Sequence, residues 1–83
     1  MSGFARTPKQ IGNIIQRARK KRGWTQSQLA ERAGLRQETI SVIEGGKKDS
    51  KLPSILALLA ALDLEFQIGE RSKGSAQDIE EIF

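Results

Sequence analysis

The sequence predicts an all-α fold, a bundle of four to five helices with two short ones joined by a tight turn at its centre. One C-terminal β-strand completes it as a ribbon between subunits. Three observations carry this. Apolar residues recur at helical spacing around Ile11–Ala18, Leu29–Ala33, Ile40–Ile43 and Ile55–Leu62. Start and stop residues (Thr7-Pro8, Gly23, Thr25, Gly34, Gly45) fall between those runs. Only Leu64 to Ile68 alternates apolar and polar with period two, and its Phe66 and Ile68 favour strands.

Residues 1–6 form a short arm with one apolar handle, Phe4. Thr7 then caps a helix that has Pro8 at its first position and Gln10 at its third. This helix runs to about Arg22 and turns Ile11, Ile14, Ile15 and Ala18 to the core. Its last turn, Arg19-Lys20-Lys21-Arg22, holds more cations than a helix dipole requires. Arg19 and Lys20 are therefore expected to contact phosphates.

The central stretch runs from Trp24 to Gly45. Thr25 and Gln28 have the spacing of a capping box, with Trp24 and Leu29 as the hydrophobic staple that sets the angle of the incoming chain. Gly34 can take the left-handed conformation that ends the first short helix. A second helix follows over about 37–44 and stops at Gly45. Helices this short must pack to persist. Leu29, Ala30 and Ala33 supply one buried stripe, and Ile40 and Ile43 the other. Gln37, Glu38 and Ser41 are left together on the opposite face. An apolar back with an amide-and-hydroxyl front suits the floor of the DNA major groove, though a plain helical bundle with a polar outer face would show the same pattern.

Gly45 to Lys51 is a loop whose lysines, Lys47 and Lys48 above all and Lys51 with them, can face phosphates. It lacks the spacing of a nucleotide-binding P-loop. Pro53 opens a further helix to about Leu62, with Ile55, Leu58, Leu59 and Leu62 toward the core. Leu56, Ala57, Ala60 and Ala61 make it apolar on most sides, more than one small domain can bury. The strand at 64–69 would leave its backbone groups unpaired in a single chain. Pairing with the same strand of a second copy satisfies them, which predicts a homodimer held by Leu62, Leu64, Phe66 and Ile68. The alternatives are that this segment prolongs the preceding helix or pairs with the arm near Phe4. Residues 71–83 read as a flexible acidic tail. Its Ile79, Ile82 and Phe83 are a candidate peptide for docking on another protein.

The 83 residues therefore divide into an arm (1–6), one domain (7–70) and the tail (71–83). The net charge of +4 is unevenly spread. Residues 6–51 hold twelve Lys/Arg against four Asp/Glu, whereas residues 52–83 hold two against six. The basic part points to a polyanion and the acidic part to a different contact. With no histidine and no cysteine, the usual metal sites and nucleophilic arrangements are missing. Neither an enzyme nor a cofactor is expected. No apolar run is long enough for a bilayer and no signal peptide is seen, so a cytoplasmic, nucleoid-associated protein is the expectation.

Thr25-Gln26, Leu29-Ala30, Ala33-Gly34, Gln37, Thr39-Ile40-Ser41 and Ile43-Glu44 resemble the helix-turn-helix of the phage-repressor/Cro-like superfamily, often labelled XRE. A lambda-repressor-like bundle is what that resemblance implies. Gln26 is then similar to the family residue whose side chain and amide meet a phosphate. On the front of the second helix, Gln37 suits adenine as a bidentate partner. Ser41 suits a base or a phosphate, and Thr39 either of these or a thymine methyl. Arg36 stands where relatives often carry a serine or threonine cap, and guanine is its best target. Glu38 fits the first turn of a helix and can also accept from cytosine N4.

The likeness goes further. Gly23-Trp24-Thr25-Gln26-Ser27-Gln28-Leu29-Ala30, the Gln37-x-Thr39-Ile40-Ser41 front, the leucine-rich fourth helix and Leu62-x-Leu64 resemble the HipB-type antitoxins. This resemblance implies a homodimeric repressor on an inverted-repeat DNA operator. It also implies a HipA-type kinase toxin as partner, and autoregulation of the operon encoding both. The loop at Lys47–Ser50 and the tail do not repeat an antitoxin pattern. A stand-alone XRE-family repressor, or a module that binds only protein, therefore remain alternatives.

Overall fold

A computed structural model describes residues 5–47 and 50–70, and all structural statements concern these. Four helices follow one another: α1 Pro8–Lys21, α2 Gln26–Ala33, α3 Gln37–Glu44 and α4 Leu52–Ala61. The N-termini follow the expected chemistry for the first two. The Thr7 hydroxyl accepts from the Gln10 amide (3.1 Å). At α2 the capping box is complete, with Gln28 N–H donating to Thr25 Oγ1 (3.0 Å) and Thr25 N–H to Gln28 Oε1 (2.8 Å). Arg36 and Lys51, which precede α3 and α4, make no side-chain cap. Their first turns are closed by backbone bonds, Thr39 and Ile40 N–H donating to the Arg36 carbonyl and Ile55 N–H to that of Lys51.

All four helices end in the same double bond pattern, in which two successive amides fold back on the last turn. Trp24 and Gly23 donate to Arg19 and Lys20, and Leu35 and Gly34 to Ala30 and Glu31. Lys47 and Gly46 donate to Val42 and Ile43, and Leu64 and Asp63 to Leu59 and Ala60. The motif needs one left-handed residue. Glycine supplies it at positions 23, 34 and 46, and Asp63 (φ 59°) at the fourth end. The left-handed stop of α3 is thus Gly46; Gly45 has φ −78°.

Asp63 carries a steric cost that glycine escapes, and no hydrogen bond to its carboxylate is seen among the described residues. Asp63→Gly is accordingly expected to raise stability by about 0.5–1 kcal/mol. Urea melts at one fixed protein concentration test this, and a loss of stability would contradict it.

The core is Ile15, Leu29, Ala30, Ile40, Ile43, Leu58, Leu59 and Leu62, with Ile11, Ala18, Trp24, Ala33, Leu35 and Ile55 packed around it. α3 lies against α1 and α2, and α4 against α2. The expected inward faces therefore hold, except that Ile14, though half-buried, is not among the residues packed on the core. Leu62 corrects one expectation. It is fully buried within its own subunit, so it cannot serve a dimer contact.

No strand is present among the described residues. Residues 64–70 are neither helix nor ladder, because a ladder needs a second strand and one chain offers none. α4 stops at Ala61, so the segment does not prolong it. Leu64 packs on the core, while Phe66 (52 %) and Ile68 (90 %) stand exposed. Leu52 and Leu56 on α4 are exposed as well, as its all-round apolarity implied. Phe4, Lys48, Ile79, Ile82 and Phe83 lie outside the described residues.

Candidate nucleic-acid interface

α3 is braced from behind by Ile40 and Ile43, both buried. Residues three and four apart share a side of a helix, so Gln37, Glu38 and Ser41 emerge together and exposed, as expected. Arg36 is exposed at the head of this face, and its side chain leaves the helix end uncapped. Thr39 is half-buried. Four amide, carboxylate, hydroxyl and guanidinium groups thus line the outward side of one rod narrow enough for a major groove.

Beside this face runs a shallow groove of about 380 Å³ between α3 and the start of α4. Glu38, Thr39, Val42 and Ile43 form one wall, and Ser50, Lys51 and Ser54 the other. The sequence reading does not single out Val42 or Ser54, and it takes Lys51 only as one of the loop lysines. Val42 has a signal, since it lies one turn beyond Glu38. Ser54 has none, because its place beside α3 depends on how α4 packs.

The opposite end of α3 is anchored inside the protein. Arg19 Nε donates to Glu44 Oε2 (2.7 Å) and Arg19 Nη2 to Glu44 Oε1 (3.1 Å). Arg19 Nη1 donates to the Trp24 carbonyl (2.7 Å), and Gln26 Nε2 to Glu44 Oε1 (3.1 Å). Arg19 and Glu44 are both buried. One carboxylate therefore joins α1, α2 and α3.

Two expectations change as a result. Arg19 is not a phosphate contact, because all three guanidinium nitrogens are engaged in the interior. The Gln26 side chain is turned to Glu44 rather than outward, which leaves the Gln26 and Ser27 amides at the start of α2, since the Gln28 amide is taken by Thr25. The carboxylate and its arginine lie 25 residues apart, and no local spacing reveals such a pair.

Arg22 is also committed to the fold. Its Nη2 donates to the Leu62 carbonyl (2.6 Å), tying the end of α1 to the end of α4. The Trp24 ring takes Arg22 at 5.4 Å and Arg32 at 4.3 Å, both as cation–π contacts. Of the expected phosphate contacts, Lys20 and Lys47 are exposed and available. No helix among the described residues is long and apolar enough to cross a membrane.

Known proteins share this geometry. The helix-turn-helix family (HTH_3) matches residues 15–68. Antitoxin HipB of Escherichia coli (strain K12) is 31% identical over 75 residues, covering 90% of this chain and 85% of the relative. Antitoxin HipB of E. coli O6:H1 (strain CFT073) is also 31% identical, covering 90% and 80%. Among solved structures, a chain of the HipA-HipB-O2-O3 complex is similar with TM-score 0.76 and 30% identity, covering 83% of this chain and 97% of that one. A HipB-O4 20mer complex matches with TM-score 0.77, 30% identity and the same coverage.

Proposed function

This chain belongs to the helix-turn-helix family and, within it, to the HipB antitoxins, and from that premise we propose that it is a sequence-specific DNA-binding repressor. In this reading it acts as the antitoxin of a type II pair, binds a HipA-type kinase toxin and represses the operon encoding both. It carries no catalytic role. The observation that carries the reading is α3, apolar and buried behind, exposed and hydrogen-bonding in front, in a fold that matches HipB within its complexes.

Two copies are needed to present two such helices to successive major grooves, about 34 Å apart, on an inverted repeat. Leu64, Phe66 and Ile68 are the proposed means. Two segments 64–69 paired about a two-fold axis satisfy each other's backbone groups and cover the exposed Phe66 and Ile68. On DNA, Arg36, Gln37, Glu38, Thr39 and Ser41 face the bases. Lys20, Lys47, Lys48 and the first-turn amides of α2 face phosphates. Ile79, Ile82 and Phe83 are a candidate contact for the toxin, and the protein acts in the cytoplasm at the nucleoid.

Fluorescence anisotropy on the duplex upstream of its own gene tests the reading. Gln37→Ala is expected to cost about 1–3 kcal/mol on the cognate duplex and to relax one base position per half-site. Lys47→Ala should weaken every duplex alike and lower the salt slope by about one. Equal loss on all sequences with Gln37→Ala would remove the base-reading role. No binding at low salt would remove the repressor reading altogether.

A further inference from the structure

The groove beside α3 contains one feature that the hydrogen-bonding face does not explain. Val42 is 38 % exposed, on the same side as Glu38 one turn earlier, and both line the groove with Thr39, Lys51 and Ser54. Around it are a carboxylate, hydroxyls and an ammonium group, each with a polar counterpart on duplex DNA. The isopropyl group has none among phosphate oxygens or base heteroatoms. The one apolar group that projects from a base edge into the major groove is the 5-methyl of thymine. An apolar side chain on a major-groove surface is therefore best complemented by that group.

We propose, resting on the repressor reading above, that Val42 is a specificity-determining residue that packs on the 5-methyl group of one thymine in each operator half-site. Three features of the groove favour this occupant over a protein side chain. The groove shares Glu38 with the face of Gln37 and Ser41, so a duplex seated on that face comes up against Val42 one turn on. Lys51 on the opposite wall places a cation where a backbone phosphate flanks the base. A single isopropyl group with polar neighbours is also too small an apolar surface to hold a protein partner.

The specificity that results is of a different kind from that of Gln37. A bidentate amide selects by donor and acceptor pattern, whereas Val42 selects by the presence of one methyl. It thus separates thymine from uracil and from unmethylated cytosine. Glu38, one turn earlier, is an acceptor only, and it disfavours the acceptor-rich edge of guanine in the neighbouring position. Together the two residues give the groove side of the helix its own sequence preference.

The experiment begins with selection from a random 30-base-pair duplex pool by the full-length protein. Each thymine of the selected half-site is then replaced by deoxyuridine, symmetrically in both half-sites. This removes the methyl and nothing else. At one position the wild type is expected to lose about fourfold in affinity per half-site, the size of one lost apolar methyl contact. Val42→Ala should bind the parent duplex with a similar loss and be indifferent to deoxyuridine at that position. Val42→Thr, which keeps one methyl, should retain part of the discrimination.

Thermal melts of Val42→Ala should show a midpoint close to that of the wild type, as expected for a shortened, partly exposed side chain on a helix. If every deoxyuridine affects the wild type and Val42→Ala equally, Val42 does not read a methyl and the proposal is overturned, with the repressor reading intact. If no duplex is enriched at all, both fall.

Discussion

Glu44→Ala is expected to remove about 3–5 kcal/mol of stability, the loss typical of breaking a buried ion pair from one side. The Arg19 guanidinium would stay buried with only the Trp24 carbonyl, and the Gln26 carboxamide would lose its acceptor. A domain of this size has only about 5–15 kcal/mol in total, so the variant should melt at a much lower urea concentration than the wild type. Salt should rescue it little, because a buried pair is weakly screened. The double variant Arg19→Met with Glu44→Leu is expected to recover most of the loss, since an apolar pair of similar volume avoids the desolvation of two ions. Urea denaturation of the three proteins checks this. A cost below about 1 kcal/mol for Glu44→Ala would mean that the pair is exposed in solution.

This network also bears on how DNA is bound. Gln26 is the first residue of α2, and Glu44 is the last of α3. The Gln26–Glu44 bond therefore ties the start of α2 to the end of α3. In the proposed reading, with phosphates at the start of α2 and bases against the front of α3, the buried carboxylate would keep one in register with the other.

Much of this architecture is legible in the residues themselves. The capping box at Thr25, the threonine-proline start at Thr7 and the isoleucine stripe of α3 each depend on neighbours within four positions. Local spacing reports such features faithfully. Long-range features are different. The run Arg19-Lys20-Lys21-Arg22 looks uniform, yet Arg19 turns inward to Glu44 and Arg22 reaches Leu62, leaving the two lysines outside. Helical geometry places Arg19 and Arg22 on the side of α1 that also carries Ile15, but a cation there reads as surface until its buried partner is known. Leu62 misleads for a similar reason. An apolar residue near a helix end fits its own core and a neighbour's equally well, and only packing decides. The segment 64–69 has a clear period-two pattern, but a ladder needs a partner strand, and that partner is not written in local spacing.

Gly12→Ala is expected to destabilise the protein although it replaces a poor helix former with the best one. Alanine gains up to about 1 kcal/mol of helix propensity in the interior of α1. Against this, a β-carbon at position 12 would sit 2.4 Å from the Ile43 carbonyl oxygen and 2.7 Å from that of Glu44. Both are backbone atoms of α3 and cannot rotate away, so α1 and α3 would have to separate. Overpacking of this kind costs about 1–3 kcal/mol, occasionally more, and here it opposes the packing of Ile15 and Ile43 as well. Steric exclusion outweighs the gain in propensity, and a net loss follows. Gly69→Ala is the control, because its β-carbon would meet nothing within 4 Å and its backbone needs no left-handed conformation. Paired urea melts should show a lower midpoint for the first variant and no loss for the second. Because the shift displaces the helix that carries Gln37, Gly12→Ala should also weaken binding to the selected duplex at temperatures where it remains folded. A Gly12→Ala protein more stable than the wild type would show that the two helices do not approach this closely, and with it the placement of the reading helix against α1 would have to be revised.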